Sequence, residues 1–80
     1  MAEPRIVPVV LPELGAAAVL SHWYVRPGDR VFAGDRLAEV LIPGATVDVH
    51  APVTGTLTER LALPPDPVAV GQLLGTIQEE

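Results

Sequence analysis

The stretch GDRVFAGDRLAEVLIPGATVDVHAPVTGTL, Gly28 to Leu57, decides the fold of this 80-residue chain. Short runs of aliphatic and β-branched residues alternate in it with Gly, Pro and Asp, the pattern of short strands separated by turns. Leu37–Leu41 and Thr46–His50 read as strands. Between them, Ile42-Pro43-Gly44-Ala45 has the chemistry of a type II turn: proline presets φ at the first central position, and glycine accepts positive φ at the second. A type II turn splays right-twisted strands more than the primed types do, so this hairpin is expected to have a rigid, slightly opened tip.

Outside this stretch the same pattern continues. Strands are expected near Arg5–Val10, Ala17–Val25, Gly55–Leu61 and Leu73–Gln78, with short bridging strands near Arg30–Phe32 and Pro67–Ala69. Ala16-Ala17-Ala18-Val19-Leu20 has some helical propensity, but Val19, Trp23, Tyr24 and Val25 favour a strand and Leu14-Gly15 marks a turn before them. No segment has the period of a long amphipathic helix. The chain also repeats itself. A shift of 37 positions places Pro27 on Pro64, Asp29 on Asp66, Val31 on Val68, Gly34 on Gly71, Leu37 on Leu74 and Val40 on Ile77. Two copies are too few to stack as a solenoid. A pair related by a pseudo-twofold axis, closing into a small sandwich of antiparallel sheets, buries the alternating aliphatics instead.

Length and composition narrow the functional classes. Eighty residues make one domain over 1–80, with its core at about 4–78, and a chain of this size buries only about 60 to 65% of its unfolded surface. With no cysteine, neither disulfides nor thiolate metal sites brace it. The net charge of −5 is distributed along the chain, without a basic patch for nucleic acid or anionic lipid. No apolar run approaches the roughly 18 residues of a membrane span, and the N-terminus lacks the order of a secretory signal. A soluble, cytoplasmic domain is expected.

Taken together, Gly28-Asp29, Val31, Gly34, Leu37, Val40, Ala45-Thr46-Val47, Val49, Ala51-Pro52, Gly55 and Leu57 resemble the lipoyl domain of 2-oxo acid dehydrogenase acyltransferases, within the biotinyl/lipoyl carrier superfamily. Val10-Leu11-Pro12-Glu13-Leu14-Gly15 is similar to that family's opening strand and loop, and Gly71-Gln72-Leu73-Leu74 to its closing segment. The resemblance covers nearly the whole chain. It implies an all-β flattened barrel of two four-stranded antiparallel sheets, with the termini near one end and the carrier hairpin at the other. It also implies a lysine at the hairpin tip, after an acidic residue, whose amine forms an amide with lipoate or biotin. Gly44 stands at the lysine's position and Pro43 at the acidic one.

The 80 residues contain no lysine at all. A slip of register therefore cannot restore the amine, and neither lipoate nor biotin is expected as a cofactor. The expectation is a non-catalytic structural or protein-interaction module related to 2-oxo acid dehydrogenase complexes, whose components are its candidate partners. Its candidate interaction tip is Leu41, Ile42, Pro43, Gly44 and Ala45, where an exposed Leu41 and Ile42 would form a small apolar patch. The alternative is a carrier disabled by a natural or engineered substitution, its recognition surface retained.

Other residues give weaker signals. His22 and His50 lack a third ligand at a defined spacing and read as solvent-facing strand residues, so no metal site is expected. Asp29, Asp35 and Asp66 sit in turns, where a carboxylate bonds nearby backbone amides. Adjacent Trp23 and Tyr24 point to opposite faces of a strand, one into the core and one partly out. A small enzyme or ligand-binding protein on this scaffold would need a convergent polar cluster, and the sequence offers none.

Overall fold

The computed structural model describes residues 3–80 and contains eight strands. In chain order these are β1 (Arg5–Val10), β2 (Ala18–Trp23), β3 (Arg30–Val31), β4 (Arg36–Ile42), β5 (Ala45–His50), β6 (Gly55–Arg60), β7 (Pro67–Val68) and β8 (Leu73–Glu79). They form two four-stranded sheets, the first in the order β1-β8-β6-β3 and the second β5-β4-β2-β7, with every pairing antiparallel. All eight expected strands are present, and no end differs from the expected one by more than two residues. Ala17–Val25 shortens to β2 because Tyr24 and Val25 lie beyond its last ladder pair, Trp23 with Ala38.

The repeat seen in the sequence is written into the turns. The amide of Arg26 donates to Asp29 Oδ2 at 2.8 Å, and that of Leu63 to Asp66 Oδ2 at 3.0 Å. Six residues further on, Phe32 N donates to Asp35 Oδ2 and Ala69 N to Gln72 Oε1, both at 2.9 Å. In each of the four turns the backbone closes in the opposite sense, from the amide of the fourth residue to the carbonyl of the first. A short acceptor side chain at this position supplies the partner that a turn amide would otherwise lack. The glycine inside the second turn of each half, Gly34 or Gly71, has φ of 92° or 77°.

Alternation along the strands fills the space between the sheets. Leu20, Leu37, Val40, Leu57, Leu74 and Ile77 are completely buried, and Trp23 joins them with its indole Nε1 donating to the Ala62 carbonyl at 2.8 Å. Fully burying each large aliphatic contributes about 1.5–3 kcal/mol before conformational entropy is set against it. No polar or charged residue is among the buried ones described. Gly55 and Gly75 permit close crossings: a Cβ on Gly55 would land on the Gln78 carbonyl oxygen, and one on Gly75 would lie 2.6 Å from that of Glu59.

The register sets the two ends of the sandwich. Arg5 pairs with Glu79 at one end of the β1–β8 ladder, and Val10 with Leu73 at the other. From Val10 the chain turns through residues 11–17 into β2, whose Val19 pairs with Leu41 near the end of β4. The β4–β5 hairpin therefore lies at the end opposite Arg5 and Glu79, beside the β1–β2 loop.

Candidate functional site

The hairpin between β4 and β5 is anchored by its inward residues. Val40 is fully buried opposite Val47, and Ile42, opposite Ala45, packs partly against the core. Two residues remain for the turn itself. Pro43 has its φ held near −65° by its ring, and Gly44 has φ of 77°, which is the type II signature. Pro43, Gly44, Ala45 and Thr46 are all exposed, and a Cβ built on Gly44 meets no heavy atom within 4 Å. The tip is thus a short rigid turn in open space, with no side chain at its apex beyond the proline ring.

Leu41 and Ile42 do not form one patch. They alternate across the pleat, so Ile42 turns inward while Leu41 is 43% exposed on the outer face of the second sheet. Leu41 pairs with Val19, itself 37% exposed, and Val19 pairs with Pro67, giving a short apolar row across β4, β2 and β7. This outward partner of Leu41 was not legible in the sequence, because it depends on which strand lies next to β4.

Further along the same outer face is a polar network. Tyr24 Oη donates to Glu39 Oε2 at 2.9 Å, the Arg36 guanidinium lies 5.0 Å from the Tyr24 ring centroid, and Arg36 Nη1 is 3.7 Å from Asp48 Oδ2. His22 meets the tyrosine ring edge-on at a centroid distance of 5.0 Å. The hydrogen bond to the Glu39 carboxylate raises the Tyr24 pKa above its usual 10.0, assisted by partial desolvation and the nearby negative charge. Trp23 takes the core side and Tyr24 the exposed side. His22 and His50 both face solvent, and among the described residues no group of three or more His, Cys, Asp or Glu side chains could hold a metal ion.

A cavity of about 320 Å³ lies between the β1–β2 loop and β7, walled by Leu11, Pro12, Leu14, Ala16, Ala17 and Val68–Val70. Its one charged side chain is Glu13, whose Oε1 already accepts the Gly15 amide at 2.7 Å. An apolar recess with a single carboxylate at its wall lacks the acid, base or nucleophile pairing that catalysis requires. Among the described residues no helix is long and apolar enough to cross a membrane.

Two four-stranded antiparallel sheets joined through a repeated half, with a β4–β5 hairpin presented at one end, define the class: a biotinyl- or lipoyl-type sandwich domain. Residues 7–77 match the family described as Biotin-requiring enzyme, and the chain belongs to it. Within it the chain is a domain of the lipoyl type found in 2-oxo acid dehydrogenase acyltransferases. It is 32% identical over 75 residues, 90% of its length, to the lipoamide acyltransferase component of the branched-chain alpha-keto acid dehydrogenase complex of Bacillus subtilis. It is 32% identical over 76 residues to the dihydrolipoyllysine-residue succinyltransferase component of the 2-oxoglutarate dehydrogenase complex of Rickettsia bellii.

The chain spans under one fifth of the length of these curated relatives, 18% and 19%. The solution structure of the lipoyl domain of the 2-oxoglutarate dehydrogenase complex from Azotobacter vinelandii superposes with a TM-score of 0.67 at 26% identity, over 98% of each chain. A multi-domain long-chain acyl-CoA carboxylase shares the fold at a TM-score of 0.84 and 16% identity, the match covering 8% of that enzyme.

Proposed function

We propose that this chain is a non-catalytic module that carries neither lipoate nor biotin, and that it serves 2-oxo acid dehydrogenase-type assemblies as a structural or protein-contact domain. One observation carries the reading: the hairpin that the family resemblance assigns to the attachment lysine ends in Pro43-Gly44, in a chain with no lysine. Amide formation with a carboxylic cofactor needs a side-chain amine, and glycine offers none. What the tip offers is shape. Its turn is held by Pro43 and anchored through Val40 and Ile42, so a partner would meet it with little ordering cost.

On this reading Leu41, Val19 and Pro67 form the contact row and the proline ring marks its end. Co-expression with a lipoate ligase, followed by intact mass, tests the carrier part, and any lipoyl adduct overturns it. Pull-down with purified components of a 2-oxo acid dehydrogenase complex tests the contact part. Retention by the wild type and loss on Leu41→Glu is the expected pair of results, whereas equal behaviour of the two overturns the role of the tip.

A second reading is a disabled carrier whose recognition surface persists. Ala45-Thr46-Val47 retains the family pattern, and the apex at Gly44 is open enough for a longer side chain. Gly44→Lys separates the two readings: efficient lipoylation of the folded variant favours the disabled carrier, and refusal favours the dedicated contact module.

A further inference from the structure

The cavity between the β1–β2 loop and β7 has a counterpart across the pseudo-twofold axis, and the two sites differ. The turn at Val68 to Gln72 meets the β1–β2 loop as the turn at Val31 to Asp35 meets the β5–β6 loop. The same backbone bonds close both: Gly71 N donates to the Leu11 carbonyl and Gly34 N to that of Ala51, while Leu11 N donates to Gln72 O and Ala51 N to Asp35 O. Leu11-Pro12 therefore stands where Ala51-Pro52 stands on the other side. Beyond these residues the repeat breaks. The chain passes from β5 to β6 through residues 51–54, but from β1 to β2 through residues 11–17, a path three residues longer.

That break changes the chemistry of the wall. On the β5–β6 side the Thr54 hydroxyl accepts the Ala33 amide at 2.9 Å, so the turn has no donor to spare there. The shift of 37 places Ala17 at the position of Thr54 and Val70 at that of Ala33. A methyl group accepts nothing, and the Val70 amide has no acceptor among the described residues. The longer loop supplies the opposite wall. It is braced by Glu13, whose Oε1 accepts the Gly15 amide at 2.7 Å, while among the described residues no donor reaches its Oε2. The cavity thus combines apolar walls with one backbone donor on the β7 side and one carboxylate acceptor on the loop side.

We propose that this cavity is a binding site for a small aliphatic carboxamide. Its volume of about 320 Å³ falls at the small end of the range for small-molecule sites, and Leu11, Leu14 and Val68 offer an alkyl tail an apolar lining. The head group follows from the two open polar atoms. A carboxamide carries an acceptor and a donor on separate atoms, so its carbonyl accepts the Val70 N–H on one wall and its N–H donates to Glu13 Oε2 on the other. A carboxylate would set a second negative charge against Glu13, and an alkane would leave both groups unpaired on losing their water. The backbone donor leaves no mark in the sequence, because it becomes available only through the pairing of Val70 with the position of Ala17. The site is separate from Leu41 and its apolar row and stands independently of the contact role proposed for them.

Titration of the nitrogen-15-labelled chain with hexanamide, followed through its amide resonances, tests the proposal. Saturable shifts are expected at Val70 and Gly15, with dissociation on the order of 1–10 mM for a ligand of about eight heavy atoms, and none at Ala33. N,N-dimethylhexanamide, which lacks the N–H, and hexanoate, which adds a charge, should each bind at least about fivefold more weakly. Ala17→Thr copies the Thr54 arrangement onto an exposed position, gives the Val70 amide a hydroxyl, and should abolish the shifts in a chain whose amide spectrum shows it folded. Glu13→Gln keeps an oxygen for the Gly15 amide but turns the other acceptor into a donor, and should weaken binding by at least about fivefold. Absence of shifts at about 20 mM hexanamide overturns the proposal. So does equal affinity for N,N-dimethylhexanamide, or unaltered binding by folded Ala17→Thr. Tighter binding of N-acetylleucinamide than of hexanamide would assign the site to a peptide and overturn the small-molecule reading.

Discussion

Gly44→Lys restores to the hairpin the side chain that the family resemblance assigns there, and its cost can be worked out from the turn. Gly44 has φ of 77°, a region in which an L-residue is disfavoured by about 1–2 kcal/mol. Nothing further should add to this, because the new Cβ meets no heavy atom within 4 Å and the lysine stem projects into solvent. A domain of this size has a total stability of about 4–12 kcal/mol, so the variant should remain folded. Guanidinium denaturation should show a loss of about 1–2 kcal/mol with an unchanged m-value, and the thermal midpoint should fall by about 4–8 °C per kcal/mol lost. Gly44→Asn, better tolerated at positive φ, should lose less than the lysine variant. A loss above about 3 kcal/mol, or equal losses for lysine and asparagine, would refute the argument, since either result would mean that the apex is strained by more than its φ.

Three further outcomes follow from the packing. Gly55→Ala should destabilise the domain by roughly 3 kcal/mol or more, despite being the smallest possible change, because its Cβ would displace the Gln78 carbonyl in the β6–β8 ladder; chemical denaturation close to wild type would contradict the crossing. Asp29→Ala and Asp66→Ala each remove the acceptor for one turn amide and should cost about 1 kcal/mol apiece, adding in the double mutant because each turn keeps its own bonds. Tyr24 should titrate above 10.0 in an ultraviolet difference experiment, and Glu39→Gln should bring its midpoint down. The linked stability is present in full below the unfolded-state pKa of about 10 and is lost as pH rises through the higher folded-state value. A midpoint at or below 10.0 would show that the hydrogen bond to Glu39 is not kept in solution.

The turns were legible because their chemistry is local. Asp29, Asp35 and Asp66 reach amides three residues back, and Pro43-Gly44 encodes its own dihedral angles, so each could be read within a window of four residues. The strands were legible by alternation, and the repeat indicated that they close on one another. Other features had no local signal. Gly55 and Gly75 lack the positive φ that marks a turn glycine; they are required by carbonyls that arrive from a paired strand. Ile42 and Leu41 are similar side chains in adjacent positions, yet one packs on the core and the other points outward. The Tyr24–Glu39 bond and the Arg36 contacts join groups brought together by the β2–β4–β5 register.

By itself, then, the sequence determined the strand content, the two-fold repeat, the rigid apex of the hairpin and the absence of any amine side chain with which to carry a cofactor. These follow from backbone dihedral preferences, pleat periodicity and residue chemistry, all of which act over a few bonds. Only the tertiary structure decided that Leu41 lies in a row with Val19 and Pro67, that a cavity opens between the β1–β2 loop and β7, and that Tyr24, Glu39, Arg36 and Asp48 meet on one outer face. The physical reason is that pairing between residues far apart in the chain, such as Arg5 with Glu79 or Val19 with Leu41, sets which side chains become neighbours on a surface. That pairing is fixed by the joint burial of both sheets rather than by any one segment.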